Sequence, residues 1–372
     1  MPKWLGNRFG NAVPVNPGNP APSAIYNMFD QYYMKQEGGY LKTVFAGSGG
    51  TKVIYNGIVY HTFTSSGAFT VTEPAGLSNI TSVNLLVQGA GAGGGMIGGG
   101  GGAGGQVQAT GVSLPVSGGP YPVVIGSGGA CATGPGARGS DGGDTTFNSP
   151  TTNFVTAKGG GGGGTHQGGS TSVGGNPGGC GGGGSDNSGS PTMSYGTSNQ
   201  PTSTPLPGTF NYYGNRGGTG SPTYLNAPRG GGGGGGTGAA GQDFPNRDGG
   251  DGRPYTIPTK DNPTTQTNYW FGGGGGGGPY ENNKTGAGGR GGGGGGYNDN
   301  PGGAALSTAG ADGYGGDVNR NPTIPGQPDA TGGIAATNSG GGGGGAKWTS
   351  FPPGLITGGP GIVVISYPNT LN

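Results

Sequence analysis

The sequence predicts a mainly β fold: a small β-sandwich frames a glycine-rich bundle of polyglycine II helices with irregular loops, and an N-terminal docking arm precedes both. Three observations lead there. Glycine supplies 104 of the 372 residues, while only 28% are hydrophobic and 8% charged; ordinary domains carry roughly 7% Gly and about 25% charged residues. Runs of strand character stand on both sides of the glycine-rich stretch. Residues 1–45, by contrast, are aromatic and poor in glycine. A chain this short of Leu, Ile and Val cannot fill cores of normal size, so side-chain burial alone cannot hold it together.

Residues 1–45 form the first unit, a short helix or extended arm. Trp4, Phe9, Tyr26, Met28, Phe29, Tyr32 and Tyr33 make it too apolar for an exposed tail. It either docks on a partner or packs on the chain's own body. Residues 46–130 are the β-rich clamp. Thr51–Tyr55 and Ile58–Phe63 flank Asn56-Gly57, a strong hairpin signal. Further strands are expected at 68–71, 82–88, 106–110 and 121–125. Residues 358–372 hold the most apolar strand of the chain, 361–367, which is expected to return to the clamp and close the sandwich.

Residues 131–357 lie between and carry most of the glycine. Runs recur at 98–102, 159–164, 181–184, 230–236, 272–278, 291–296 and 340–345. Glycine does not occupy every third position, which excludes collagen. One reading is flexible low-complexity linker, because glycine loses the most entropy on ordering. The other is a bundle of extended helices with three residues per turn, bonded laterally N–H to C=O. Fixing a residue costs about 1–2 kcal/mol, against about 0.5–1.5 kcal/mol returned by a net hydrogen bond. Such a bundle is marginal unless clamped, and the flanking sheet is the clamp. Similar run lengths, alternating with non-repetitive segments rich in Tyr, Asn, Thr and Pro, favour the bundle.

Catalysis is not expected. His61 reads as a surface strand residue and His166 as a loop residue beside a glycine run. Phosphate-loop glycine patterns arise by chance at this composition. Asp141-Gly142-Gly143-Asp144 and Asp248-Gly249-Gly250-Asp251 share one spacing, but calcium takes six or more oxygens and Asp-Gly turns account for the motif. Arg-Gly-Gly at Arg216, Arg229 and Arg290 matches a pattern of RNA-binding segments, yet the sites are far apart and the net charge is +1. No metal, cofactor or nucleic acid is therefore expected. No window is apolar enough for a membrane-inserted helix. Cys131 and Cys180 leave pairing open. Aromatic residues near the glycine runs are the recognition candidates: Phe210, Tyr212, Tyr213, Tyr224, Tyr255, Tyr269, Trp270, Phe271, Tyr280 and Tyr297. Such rings offer contact area at low entropic cost and stack on sugars, or they cap the ends of the bundle.

Phe63-Thr64-Ser65-Ser66-Gly67-Ala68-Phe69-Thr70-Val71, followed by Val83-Asn84-Leu85-Leu86-Val87-Gln88-Gly89-Ala90-Gly91-Ala92-Gly93-Gly94, resembles the opening of a glycine-rich domain common in bacteriophage tail fibres. Val123-Val124-Ile125-Gly126, Gly139-Ser140-Asp141-Gly142-Gly143-Asp144 and the closing Gly361-Ile362-Val363-Val364-Ile365-Ser366-Tyr367 are similar to its later motifs. The segment Pro22-Ser23-Ala24-Ile25-Tyr26-Asn27-Met28-Phe29 resembles one in virion proteins of marine phages. The resemblance implies a virion fibre or adhesin, assembled in the host cytoplasm and exposed on the particle. It implies docking to other virion proteins through the N-terminus and binding of a host surface glycan or outer-membrane protein. A homo-oligomer is compatible with it. It also implies that Asp-Gly-Gly-Asp is structural. The alternative is a decoration of capsid, neck or tail that binds only virion proteins. A hydrolytic tail enzyme is disfavoured, since no paired carboxylates sit on a recognisable scaffold. The long middle, about residues 185–340, departs from the pattern, and a variable tip would lie there.

Overall fold

The structure is a computed structural model that describes residues 46–72, 82–115, 119–134, 136–149, 154–167, 171–186, 194–202, 206–222, 229–258, 266–280, 285–297, 335–347 and 357–369. The arm 1–45, with Trp4, Phe9, Tyr26, Met28, Phe29, Tyr32 and Tyr33, lies outside them. Among the described residues the chain is all β: no helix is present.

Strands β1 (Ala46–Ser48), β2 (Thr51–Tyr55), β3 (Ile58–Phe63), β4 (Gly67–Thr72), β5 (Ser82–Gln88), β6 (Gln106–Ser113), β7 (Tyr121–Val124), β8 (Thr145–Phe147) and β9 (Val155–Ala157) come first. They are followed by β10 (Thr165–Gln167), β11 (Thr171–Val173), β12 (Thr209–Tyr213), β13 (Arg253–Pro258), β14 (Gln266–Phe271) and β15 (Ile362–Pro368). A six-stranded antiparallel sheet has the order β12-β6-β5-β15-β3-β2, and a five-stranded one the order β1-β4-β7-β8-β9. The β2–β3 hairpin turns at Asn56-Gly57 with both residues at positive φ, 46° and 72°, which is what a two-residue turn between right-twisted strands requires.

β15 sits between β5 and β3, in the middle of the larger sheet. Its Val363, Ile365 and Tyr367 join Phe63, Phe69, Leu85, Val87, Tyr121 and Phe147 in the core between the two sheets. Its Ile362 and Val364 face the other way, with Tyr60 and Leu86, against Ile257 and Phe271 of the β13–β14 hairpin. The assembly is therefore three layers deep at this point. A strand covered on both faces has no reason to alternate, and Ile-Val-Val-Ile does not. The sandwich also draws β8, β9 and β12 from the stretch expected to be bundle.

The glycine runs continue from the ends of these strands. Run 98–105 donates its N–H groups in strict rotation. Gly99, Gly102 and Gly105 bond to the carbonyls of Gly164, Gly161 and Lys158; Gly100 and Ala103 to those of Gly232 and Gly235; Gly101 and Gly104 to those of Gly343 and Gly340, all at 2.8–3.0 Å. Each partner segment is met every third residue. The run's carbonyls rotate likewise, accepting from 89–95, 180–183 and 275–278. Six segments thus surround one, and they are bonded to each other in turn: Gly163 to Gly93, Gly164 to Gly183, Gly235 to Gly181, Gly234 to Gly275, Gly345 to Gly276 and Gly343 to Ala92. Run 230–236 is enclosed in the same way by 98–105, 181–184, 218–221, 239–242, 273–278 and the segment at Gly250. Methyl groups are accommodated at Ala92 and Ala103, but at most positions the packing leaves no room for a side chain. A Cβ on Gly234 or Gly342 would land on the carbonyl oxygen of Gly101, and one on Gly101 on that of Ala92.

His61 is fully buried rather than on the surface, because the five-stranded sheet covers its face of β3. Its Nδ1 lies 2.7 Å from the Gly49 carbonyl, which can only accept, so Nδ1 carries the proton. Nε2 is then the acceptor for the Tyr367 hydroxyl at 3.0 Å, and that hydroxyl accepts from the Gly47 N–H at 2.9 Å. The chain ties β1 to β3 and β15. Burial holds the imidazole below its ordinary value; the Gly49 carbonyl opposes the shift and Lys52 adds to it.

Gly101→Ala is expected to cost about 1–3 kcal/mol or more by overpacking, whereas Gly134→Ala, with open space around it, is expected to stay within about 1 kcal/mol of the parent. Paired thermal melts followed by circular dichroism check this. The depressed folded pKa of His61 makes the unfolded chain the better proton acceptor. Its contribution is therefore complete above the unfolded value near 6.5 and falls as pH drops toward the folded one. Urea melts between about pH 7 and pH 5 are expected to show a slope that His61→Gln, able to donate to Gly49 and accept from Tyr367, reduces.

Candidate recognition surface

The runs have a fixed polarity relative to the sheets. β5 passes into 89–95, the chain turns at Met96-Ile97, and 98–105 returns into β6. The far end is thus marked by Met96, which bridges Ala346 and accepts from the His166 N–H at 3.3 Å. Gly230 bridges Pro279 there, Ser221 N–H bonds to Gly230, and Tyr280 N–H bonds to Arg229. Connections 167–171, 186–194, 222–229 and 280–285 leave and re-enter the runs at this end, the turns 132–138 and 243–247 lie there too, and the chain also leaves the runs there after Tyr297 and Ala346. The central residues of those four connections, Tyr224 among them, lie outside the described residues.

The other aromatic candidates fall into distinct settings. Phe210 and Tyr212 on β12 stack at 6.2 Å and pack against the sandwich core. Tyr213 lies under the Arg253 guanidinium, 3.9 Å from its ring centre. On the β13–β14 hairpin, register and pleat send Tyr255, Tyr269 and Phe271 inward against the sheet. Burial pushes the Tyr255 hydroxyl up to about 12. Trp270 points the other way, beside the exposed Pro254, Thr256 and Asn268, with the Arg290 guanidinium 5.0 Å from its ring. Tyr280 stands at the far end beneath Arg229 at 3.6 Å. Tyr297 is buried with Cys131 and Ala346.

Two of the ten expectations need correction. Phe271 is 0% exposed and Tyr297 2%, so neither ring can meet a ligand; each fills a core cluster at the start or end of a glycine run. The stretch Tyr269-Trp270-Phe271 is a strand with two inward rings, and only Trp270 reaches the outer face.

The polar motifs have structural partners. Asp141 accepts from the Gly162 N–H at 2.7 Å and the Asn176 amide at 2.9 Å; Asp144 accepts from the Gly159 N–H at 2.8 Å and the Lys158 ammonium at 3.0 Å. Asp248 and Asp251 do the same for the N–H groups of Ala287 and Arg290, at 2.7 and 2.8 Å. The spacing of three within each motif equals the period of the runs, so both carboxylates of a pair face one neighbour and take the place of a carbonyl acceptor. Among the described residues no group of three or more His, Cys, Asp or Glu comes together to hold a metal. All three Arg-Gly-Gly arginines stack on rings: Arg216 on Tyr195, Arg229 on Tyr280 and Arg290 on Trp270. Cys131 and Cys180 are both buried and unpaired, and burial raises the Cys180 thiol to about 12. His166 is not in a loop: it lies in β10, buried, with Nδ1 2.8 Å from the buried Asp186 carboxylate. Nothing in its local sequence announces this, since Asp186 lies 20 positions away across a glycine-rich stretch.

Asp141→Ala leaves the Gly162 N–H without its acceptor and is expected to cost about 1–3 kcal/mol. Asp141→Asn, which keeps an acceptor oxygen, is expected to recover most of that in the same chemical-denaturation series.

A comparison with curated proteins returns no match. A family described as a glycine-rich domain matches residues 64–368, from just before β4 to the last residue of β15. The match therefore takes in the sandwich strands at both ends and the glycine runs between them, and on that extent the chain belongs to the glycine-rich domain family.

Proposed function

We propose that the glycine runs are polyglycine II helices in a bundle, and that the chain is a bacteriophage virion fibre or adhesin whose bundle presents recognition loops to a host cell surface. The three-residue rotation of the hydrogen bonds supports the first part. The observation that carries the second is topological: connections 167–171, 186–194, 222–229 and 280–285 leave the runs at the end remote from the sheets, and the chain departs there again after Tyr297 and Ala346. A scaffold built largely of glycine backbone, with connections leaving it at the end remote from the sheets, suits attachment, because loops tolerate change while their platform does not. In this reading residues 1–45 dock to other virion proteins, at the sheet end where β1 begins. The ligand is a host glycan or outer-membrane protein, and no catalytic step, cofactor or nucleic acid is involved. The resemblance to phage tail-fibre domains supports it independently.

One observation favours the second reading, a decoration that binds only virion proteins. Tyr213, Trp270 and Tyr280 all lie beneath guanidinium groups, so these rings already have partners. Fluorescently labelled protein separates the two. Saturable binding to host cells that blocks phage adsorption supports the adhesin; folded protein that binds no susceptible host supports the decoration. Within the adhesin reading, Trp270→Ala is expected to keep the melting curve within about 1 kcal/mol and to weaken cell binding. Phe271→Ala is expected to lose about 3–5 kcal/mol of stability. Full binding by Trp270→Ala would remove the hairpin face from the contact and leave it to the far-end connections.

A further inference from the structure

We propose that His166, Asp186, Arg229 and Tyr280 are positioning residues, a single hub that locks the roots of four far-end connections, 167–171, 186–194, 222–229 and 280–285, so that they act as one recognition surface. The inference rests on the adhesin reading for its purpose but not for its geometry. Each of the four stands at the root of a different connection. His166 lies in β10, just before 168–170; Asp186 immediately precedes 187–193; Arg229 immediately follows 223–228; Tyr280 immediately precedes 281–284.

The contacts form one chain. His166 Nδ1 lies 2.8 Å from Asp186 Oδ1, and the two side chains are 2% and 0% exposed. So short a contact between two side chains closed off from water leaves the ring little freedom to rotate. The imidazole meets the Tyr280 ring edge-on, with centres 5.6 Å apart and planes at 83°. The opposite partner of Tyr280 is Arg229, whose guanidinium lies 3.6 Å from the ring centre, and the Tyr280 N–H donates to the Arg229 carbonyl at 3.1 Å. The hub rests on the turn of the first run. His166 N–H and Thr165 Oγ1 both donate to the Met96 carbonyl, at 3.3 and 2.7 Å, while Tyr280 packs against Met96, Ile97 and Ala132.

The location gives the cluster its role. Below it the runs meet chiefly through backbone, and glycine has no side chain with which to orient a departing loop. The hub is where the side chains of these four segments meet. Removing one member should therefore loosen the roots of the other three, although they are remote in sequence.

Hydrogen–deuterium exchange of the full chain, read by mass spectrometry without any receptor, tests this. In His166→Ala, amides at Asp186, Arg229 and Tyr280 are expected to exchange faster, on the order of tenfold, while those of 98–105 and β15 stay unchanged. Tyr280→Phe keeps the ring and is expected to match the parent. Faster exchange confined to β10 would overturn the proposal by showing the roots to be independent. Faster exchange throughout the runs would overturn it by making His166 an ordinary fold residue. Neither outcome depends on cell binding, so a failed adhesin reading and a failed hub are told apart.

Discussion

Everything in this molecule depends on how closely one glycine backbone can approach another. The runs are bonded N–H to C=O at distances near 2.9 Å on several sides at once, and such an approach is open only to chains in which most positions lack a Cβ atom. The term that usually dominates folding, removal of apolar surface from water, is small here outside the sandwich. Hydrogen bonding has to offset an unusually large loss of backbone entropy. Each bond is individually modest, so the gain comes from completeness: a run such as 98–105 leaves no N–H of residues 99–105 unpaired.

Completeness has to stop somewhere, and the edges of the array show how. At two edges the sequence supplies a pair of aspartates three residues apart, which pair the N–H groups of the last run as a further run would have done. At the sheet end the runs become strands, so the same backbone groups pass from one hydrogen-bonding pattern to another. Side chains are concentrated where the array ends, in the sandwich, in the hairpin over its outer face, and in the cluster around Tyr280 at the far end.

Much of this was legible in particular residues. Asn56-Gly57 announced its hairpin, and the Ile-Val-Val-Ile of β15 announced an apolar strand that returns to the earlier ones. The hairpin that covers the second face was not legible, because Tyr269-Trp270-Phe271 abuts a glycine run and its strand partner, Arg253–Pro258, contains two prolines. His61 was misplaced because period-two alternation says which residues share a face but not which face is covered. His166 was misplaced because its partner is set by run packing rather than by local pattern. The Asp-Gly-Gly-Asp spacing reads as Asp-Gly turns, whereas its carboxylates serve as acceptors for a neighbouring segment, a role visible only once a three-residue period is granted to the runs.

The position of β15 bears on the order of events during synthesis. The strand that fills the centre of the larger sheet lies beyond residue 360, whereas its two neighbours, β3 and β5, are complete by residue 88. Until β15 leaves the ribosome the sheet has a gap where its most apolar strand belongs. Contacts this remote in sequence form slowly. A chain released early would carry nearly all of its glycine without the strand that completes the larger sheet.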